Sequence, residues 1–191
     1  MQRPNEARRE AIVKAAAELF ATRPFHEVRL DDVAAAAGVG KGTLYIYFKG
    51  KEDLYNSLVL RGFEQLIERM KQQIESAGGS AWDRLGLIVN GFVGWAKRSP
   101  HFFQLMRPGP LAPPADQYES KRRELVKLIE STIVQGIRDG ELCDPRPDLT
   151  AQFIPACVRG TLRFGPADVG QETLVNHILR TIGGGIRKGQ S

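Results

Sequence analysis

Residues 41–43 combine three residue types that could contact the edges of DNA bases. Lys41 can donate to guanine O6 and N7 or to a phosphate, and Thr43 can form a hydrogen bond or touch a thymine methyl group. Gly42 has no side chain and would let the backbone approach closely. Such residues at the start of a helix are typical of a helix that lies in the major groove.

Three further residues have the chemistry of phosphate contacts. Tyr45 and Tyr47 carry phenolic hydroxyls, and Lys51 places a cation at the start of the next helix, where the helix dipole also favours an anion. Phosphate contacts would set the register and the affinity on DNA. On composition alone, a solvated polar turn in which the tyrosines merely pack explains these residues equally well.

These side chains need a helix-turn-helix to position them, and the surrounding sequence predicts one. Helical periodicity indicates helices at 5–21, 31–37, 41–48 and 51–76. Asp31 and Asp32 lie in the first turn of the second helix, where carboxylates favour the helix dipole. Gly38 suits the left-handed conformation that ends this helix. Leu44 and Phe48 are i, i+4 neighbours and should face the first helix.

The segment 32–54, DVAAAAGVGKGTLYIYFKGKEDL, resembles the signature of the tetracycline-repressor (TetR) family of bacterial regulators. Ala-Gly-Val, Thr-Leu-Tyr, Tyr-Phe and Lys-Glu-x-Leu stand at the family's spacing, and the likeness covers residues 8–54. It implies an all-α protein with an N-terminal three-helix helix-turn-helix domain and a C-terminal helical domain that binds a ligand and dimerises. It also implies a repressor that binds a palindromic operator as a homodimer and is released by a small effector.

Carried over residue by residue, the family's DNA contacts would fall on Arg29, Lys41, Gly42, Thr43, Tyr45, Tyr47 and Lys51. Two positions depart from the family's pattern. Arg29 stands where the family often has a capping Ser or Thr, whose loss costs about 1 kcal/mol of helix stability, although Arg could contact a phosphate. Gly40 replaces a frequent Ser before the recognition helix and therefore lacks a hydroxyl for phosphate.

The rest of the chain is also helical, with about nine helices in all and no convincing strand. Beyond residue 76, periodicity predicts helices at 80–98, 101–107, 116–139, 149–164 and 171–188. The segment 108–114 must be a loop, because its prolines fix φ and lack an N–H. We therefore predict a DNA-binding domain at 1–50 and an effector-binding and dimerisation domain at 51–191.

The resemblance assigns the last two predicted helices to a four-helix bundle between two subunits. Helix 171–188 has one apolar stripe, whereas helix 149–164 is apolar on more than one face and needs two surfaces to pack against. The alternative is a terminal helix that packs on its own monomer. The predicted interface residues are Phe153, Val158, Leu162, Leu174, Val175, Ile178, Leu179, Ile182 and Ile186.

The helices between residues 51 and 164 should enclose a pocket for an apolar or amphipathic effector. The candidate lining residues are Phe63, Leu66, Phe92, Trp95, Phe102, Phe103, Met106, Tyr118, Phe153 and Cys157. Any one of them could instead be plain core. Arg159 and Arg163 could attract an acidic ligand, but with Gln152 they also fit a solvated stripe. His101 is a comparable candidate.

Charge and composition exclude other classes of protein. The chain of 191 residues carries a net charge of +5, which favours a polyanionic partner. Cys143 and Cys157 suggest no disulfide framework. The sequence has no metal-ligand spacing and no nucleophile motif, P-loop or carboxylate pair, so we expect neither an enzyme nor a metal or cofactor.

The predicted partners are double-stranded operator DNA, a small-molecule effector and a second copy of the chain. No apolar run approaches the roughly 18 residues of a membrane span, and the N-terminus lacks a signal-peptide core, which predicts a cytoplasmic protein without a membrane partner. The alternative is a DNA-binding regulator whose second domain is a protein-interaction module without a ligand.

Overall fold

The structure, a computed structural model, describes residues 5–98, 115–166 and 168–186, without the side chains of 115–117. These residues form eight helices and no strand, which confirms the predicted all-α class. The helices are α1 Glu6–Thr22, α2 Leu30–Ala36, α3 Lys41–Tyr47, α4 Lys51–Ser76, α5 Ala81–Arg98, α6 Ala115–Arg138, α7 Pro147–Phe164 and α8 Gln171–Ile186. The helix predicted at 101–107 and the loop predicted at 108–114 lie outside the described residues.

The first compact unit extends to Gly62 and is built on α1. Asn5 caps this helix, because its Oδ1 accepts a hydrogen bond from the backbone N–H of Ala7 at 2.9 Å. One face of α1 is buried, with Ile12 and Ala16 fully inaccessible to solvent. This face packs with residues of α2, α3 and the start of α4 in one hydrophobic cluster.

The turn between α2 and α3 has the geometry that its glycine predicts. Gly38 adopts φ +65°, a left-handed conformation that side chains with a Cβ rarely occupy. The backbone N–H of Val39 donates to the carbonyl of Ala34 at 3.0 Å, which closes the end of α2. The chain can therefore change direction sharply and start α3 three residues later.

The 26-residue helix α4 belongs to both compact units, since the second begins at Phe63. In the second unit, α5 packs against α6, α7 and α8. A capping box starts α5, as predicted: the N–H of Asp83 donates to Ser80 Oγ at 3.1 Å and the N–H of Ser80 donates to Asp83 Oδ2 at 3.0 Å. Within the described ranges, no helix is long and apolar enough to cross a bilayer.

Candidate nucleic-acid interface and ligand cavity

Helix α3 presents one face to the core and the other to solvent. Leu44 and Phe48 are buried in the cluster around α1, as their spacing predicts. Lys41, Gly42 and Tyr45 are exposed on the opposite side. Thr43, also predicted to contact bases, is half-buried beside them. A helix of this kind offers DNA a small, accessible surface on a buried support.

Ile46 also lies on the exposed side of α3, and it is not among the residues predicted to contact DNA. Its side chain is 56% exposed, which is unusual for an isoleucine in a folded domain. An apolar side chain at this place could contact a thymine methyl group or a sugar. The helical period predicts this exposure, because Ile46 lies two residues from each of the buried residues Leu44 and Phe48 and therefore on the opposite side of the helix.

The cation at the start of the recognition helix is paired within the protein. Lys41 Nζ lies 2.7 Å from Asp31 Oδ1 of α2. The hydrogen bond with Lys41 lowers the pKa of the Asp31 carboxyl, and the same hydrogen bond raises the pKa of Lys41. Both side chains are exposed, so water and salt screen the pair. A DNA phosphate near Lys41 would have to compete with this carboxylate.

Tyr47 joins α3 to the beginning of α1. Its hydroxyl accepts a hydrogen bond from the backbone N–H of Asn5 at 2.7 Å and donates to the Asn5 carbonyl at 3.1 Å. The ring is half-buried. A phosphate contact of Tyr47 stays a prediction, but the described contacts position α1 against the recognition helix.

Lys51 has a structural role that its sequence context does not reveal. Its Nζ donates to the carbonyls of Phe25, Val28 and His26 at 2.8, 3.0 and 3.4 Å and lies 4.6 Å from the centre of the Phe25 ring. Three N–H donors thus have three acceptors in the turn before α2. A phosphate contact of Lys51 would require this ammonium group to exchange its present partners.

The two departures from the family's pattern leave both short helices without a side-chain cap. Arg29 precedes α2 and Gly40 precedes α3, and neither cap residue makes a side-chain hydrogen bond to its helix. Arg29 is exposed. Its guanidinium is therefore placed at the surface rather than in a capping contact.

A cavity of about 200 Å³ lies between α5, α6 and α7. Its lining residues are Phe92, Tyr118, Arg122, Gln152, Pro155, Ala156 and Arg159. Phe92 and Tyr118 were among the candidates from the sequence. Arg159 and Gln152 are exposed, as the alternative of a solvated stripe expects, and both also line the cavity. Arg163 does not, and its guanidinium carbon lies 5.2 Å from the centre of the Phe164 ring.

Most other candidate pocket residues lie elsewhere. Phe63, Leu66 and Trp95 are buried, and the Phe63 and Trp95 rings stack at 4.9 Å. These three residues belong to the hydrophobic core, next to Phe92. Phe153 is 53% exposed on α7, and Cys157 is half-buried there. Four candidates fall outside the described residues: His101, Phe102, Phe103 and Met106.

Burial raises the pKa of the Tyr118 phenol to about 12, against smaller opposing effects of Arg159 and Arg122. The phenol is therefore neutral at physiological pH. Its ring contributes an uncharged wall to the cavity.

The apolar residues of α7 and α8 separate into two groups. Those of α8 are mostly buried within the chain, where this helix packs on α5: Leu174, Val175, Ile178, Ile182 and Ile186. Val158 of α7 is buried too, and Leu162 and Leu179 are half-buried. In contrast, Leu149 and Phe164 of α7 are 54% and 81% exposed. The burial of the α8 stripe within one chain is what the alternative of a terminal helix packed on its own monomer expects, and the dimer interface stays a prediction.

Comparisons with known proteins agree with this architecture. Residues 12–58 match the family model described as bacterial regulatory proteins, tetR family. The chain is 29% identical over 135 residues to the fatty acid metabolism regulator protein of Bacillus subtilis, covering 69% of each protein. It is 26% identical over 159 residues to the HTH-type transcriptional repressor KstR2 of Mycolicibacterium smegmatis, covering 81% of this chain and 76% of the relative.

A solved structure supports the same fold over nearly the whole chain. A transcriptional regulator of the TetR/AcrR family from Thermobifida fusca superimposes with a TM-score of 0.75 and 25% sequence identity, covering 93% of this chain and 97% of that one. The proteins matched here are transcription regulators rather than enzymes.

Proposed function

Because the chain belongs to the tetR family of bacterial regulatory proteins, it is a helix-turn-helix transcription regulator, and we propose that it represses transcription. In this proposal it binds a palindromic operator as a homodimer and dissociates when a small apolar or amphipathic effector binds. The single observation that carries the DNA-binding part is the exposed face of α3, supported on buried Leu44 and Phe48.

On the operator, α3 would enter the major groove with its N-terminal end. The bare backbone at Gly42 permits a close approach, and Thr43 and Tyr45 supply hydroxyls. Lys41 would exchange its bond to Asp31 for a base or a phosphate. Arg29 at the surface before α2 would contact the phosphate backbone.

In this proposal, a second copy of the chain packs against the exposed apolar stripe of α7. Leu149, Phe153, Ala156, Gly160 and Phe164 follow each other at intervals of three or four residues and share one side of the helix. A Cβ added at Gly160 would meet no atom within 4 Å, so this part of the stripe leaves room for a close helix. A dimer formed through this stripe would carry two copies of α3, and helix-turn-helix dimers contact two half-sites roughly 34–36 Å apart.

The stripe also refines the predicted interface. Phe153 remains in it, whereas the five buried residues of α8 already contact their own monomer and would support the interface from behind. The alternative of a protein-interaction module would use this same stripe with a different protein. Light scattering of the purified chain separates these two outcomes.

Effector binding would act through α4, which continues from the DNA-binding unit into the second unit. A difference of about 1–3 kcal/mol in effector affinity between two dimer states is enough for 5–150-fold coupling. The name of the M. smegmatis relative, a repressor, supports repression as the outcome. The name of the B. subtilis relative, a fatty acid metabolism regulator, supports a screen of molecules with apolar chains.

The operator itself is the most informative test. Selection of bound sequences from random DNA should yield a palindrome, and binding of that sequence should weaken steeply with salt. Binding to the palindrome should greatly exceed binding to a scrambled duplex at every salt concentration. Equal affinity for both duplexes would contradict the proposal. A thermal-shift screen with small amphipathic molecules then tests the effector part separately.

A further inference from the structure

The lining of the cavity between α5, α6 and α7 divides into apolar residues and three polar residues, Arg122, Gln152 and Arg159, which are half-buried or exposed and form its rim. Phe92 and Tyr118 provide aromatic walls, and Pro155 and Ala156 provide small apolar surfaces on α7. The volume of about 200 Å³ is below the roughly 300–1,000 Å³ of sites for drug-sized ligands. The site therefore suits a small molecule with an apolar body.

The rim contains two arginines, Arg122 and Arg159, which differ in whether a carboxylate is paired with them. Arg122 is held by Glu119 through two hydrogen bonds, Nε to Oε2 at 2.9 Å and Nη2 to Oε1 at 2.8 Å. This pairing lowers the pKa of the Glu119 carboxyl, which keeps it ionised. Arg159 makes no hydrogen bond or ion pair with any residue that the structure describes. Among the described residues, Arg159 is therefore the arginine of the rim that has no anionic partner.

Gln152 adds an oriented donor to the same rim. Arg122 Nη1 donates to Gln152 Oε1 at 2.6 Å, so the acceptor end of the amide is already used. The Nε2 group of Gln152 makes no hydrogen bond within the described part of the chain. The hydrogen bonds from Arg122 to Glu119 and to Gln152 thus hold the amide in one orientation, with its two N–H donors available beside Arg159.

We propose that this cavity binds a small organic carboxylate with an apolar body. Arg159 pairs with the carboxylate, Gln152 Nε2 donates to it, and Phe92 and Tyr118 contact the apolar part. Charge-assisted bonds from a guanidinium are the strong, specific contacts of such a site. The proposal deepens the proposed function, because the carboxylate would be the effector, but the binding itself does not depend on DNA.

Matched pairs of probes isolate the charge of the ligand. Octanoate and octanamide differ at one end only, as do phenylacetate and phenylacetamide. Isothermal titration calorimetry of the full chain without DNA should detect at least one carboxylate, with its amide about tenfold weaker or more because the ion pair is absent. Inorganic phosphate, which has no apolar body, should not bind. Equal affinity for carboxylate and amide, or no binding of either carboxylate, would overturn the proposal.

Two arginine variants on the same helix provide the matched control. Arg159→Gln should remove the preference for carboxylate over amide, whereas Arg163→Gln should retain it, because Arg163 does not line the cavity. Circular dichroism and the melting temperature check that both variants fold. If Arg159→Gln folds and keeps the preference, the assigned site is wrong.

The same experiments distinguish this proposal from the repressor proposal. A carboxylate that binds without releasing the operator supports the cavity and contradicts derepression. A chain that recognises no operator but binds carboxylates through Arg159 contradicts only the repressor.

Discussion

Lys41 Nζ of α3 and Asp31 Oδ1 of α2 lie 2.7 Å apart, so the cation at the start of the recognition helix already has an anionic partner. The two residues stand on the two helices of the helix-turn-helix, on either side of its turn. The carboxylate therefore opposes any use of Lys41 on DNA.

Asp31→Asn should strengthen binding to DNA of any sequence, since Lys41 would no longer have to leave a carboxylate. One additional phosphate contact steepens the salt dependence by about 0.9 in log K per log salt. Titrations at several salt concentrations measure this slope. Asp32→Asn is the charge-matched control, because Asp32 is paired with Arg23 instead. Equal slopes in both variants would show that only net charge matters.

The direction of the Asp31 pKa also sets a pH expectation for this pair. Its pKa is lowered below the ordinary 3.8, so the carboxylate persists across the neutral range, and its contribution is lost only as the pH falls through the lowered value. DNA affinity should not change through this pair between about pH 6 and pH 8. A change there that Asp31→Asn abolishes would contradict the assignment.

Lys51→Met should destabilise the first compact unit, because three carbonyls of the turn before α2 lose a charged donor. The expected loss is about 1–3 kcal/mol in the free energy of unfolding. Chemical denaturation without DNA measures it. Lys49→Met serves as control, since Lys49 is an exposed lysine two residues away. If Lys51→Met unfolds like wild type but binds DNA weakly, Lys51 acts on phosphate rather than on the turn.

Phe153→Glu should convert a dimer to a monomer without unfolding the chain, because the side chain is exposed in one copy and would be buried between two. Multi-angle light scattering gives the mass, and circular dichroism checks the helices. Leu174→Glu should instead unfold the second unit, because Leu174 is buried against the chain itself. A wild-type mass for folded Phe153→Glu would exclude the α7 stripe as the interface.

Gly136→Ala should destabilise the contact between α5 and α6. The added Cβ would lie 2.5 Å from the Ala81 Cβ and 2.7 Å from Leu142 Cδ1. Overpacking of this kind costs about 1–3 kcal/mol. Gly184→Ala is the control in α8, where nothing lies within 4 Å and alanine favours the helix. The two variants should shift the melting temperature in opposite directions, and a shift of equal sign would contradict the packing.

Tyr45→Ala should weaken operator binding and leave the oligomeric state unchanged, because Tyr45 is exposed on α3. Tyr47→Phe should act differently: it removes two hydrogen bonds to Asn5 and should lower stability before it affects base recognition. Fluorescence anisotropy with a labelled operator and thermal denaturation separate the effects. Unchanged operator affinity in Tyr45→Ala would mean that this face of α3 is not the DNA surface.

Local signals predicted the helices and their ends. Helix α4 has the bounds that periodicity predicts, and α2, α3 and α6 end one residue earlier than predicted. Gly38 ends α2 and Ser80 with Asp83 begins α5, because turns and caps depend on residues only a few positions apart. The buried face of α3 follows from the same kind of information.

Contacts between distant residues could not be predicted in this way. The ammonium of Lys51 and the carbonyls of Phe25 and Val28 are more than twenty positions apart. The periodicity of a helix does not predict hydrogen bonds between residues so far apart in the sequence. Gln152 and Arg122 are separated by 30 positions and become neighbours only when α6 packs on α7. The sequence therefore suggested a phosphate contact for Lys51 and a solvated stripe for Gln152.

The amino-acid sequence by itself predicted the helix-turn-helix, the buried face of its second helix and the likeness to the tetR family, because these depend on local periodicity, caps and a short motif. Only the tertiary structure decided which partners Lys41 and Lys51 take, that Arg159 faces a cavity, and which apolar stripe stays exposed. The physical reason is that an apolar stripe indicates only that a helix packs against something. Whether a stripe packs on another helix of the same chain, as for α8, or keeps more than half of its large side chains exposed, as for Leu149, Phe153 and Phe164 of α7, depends on how the helices assemble in space.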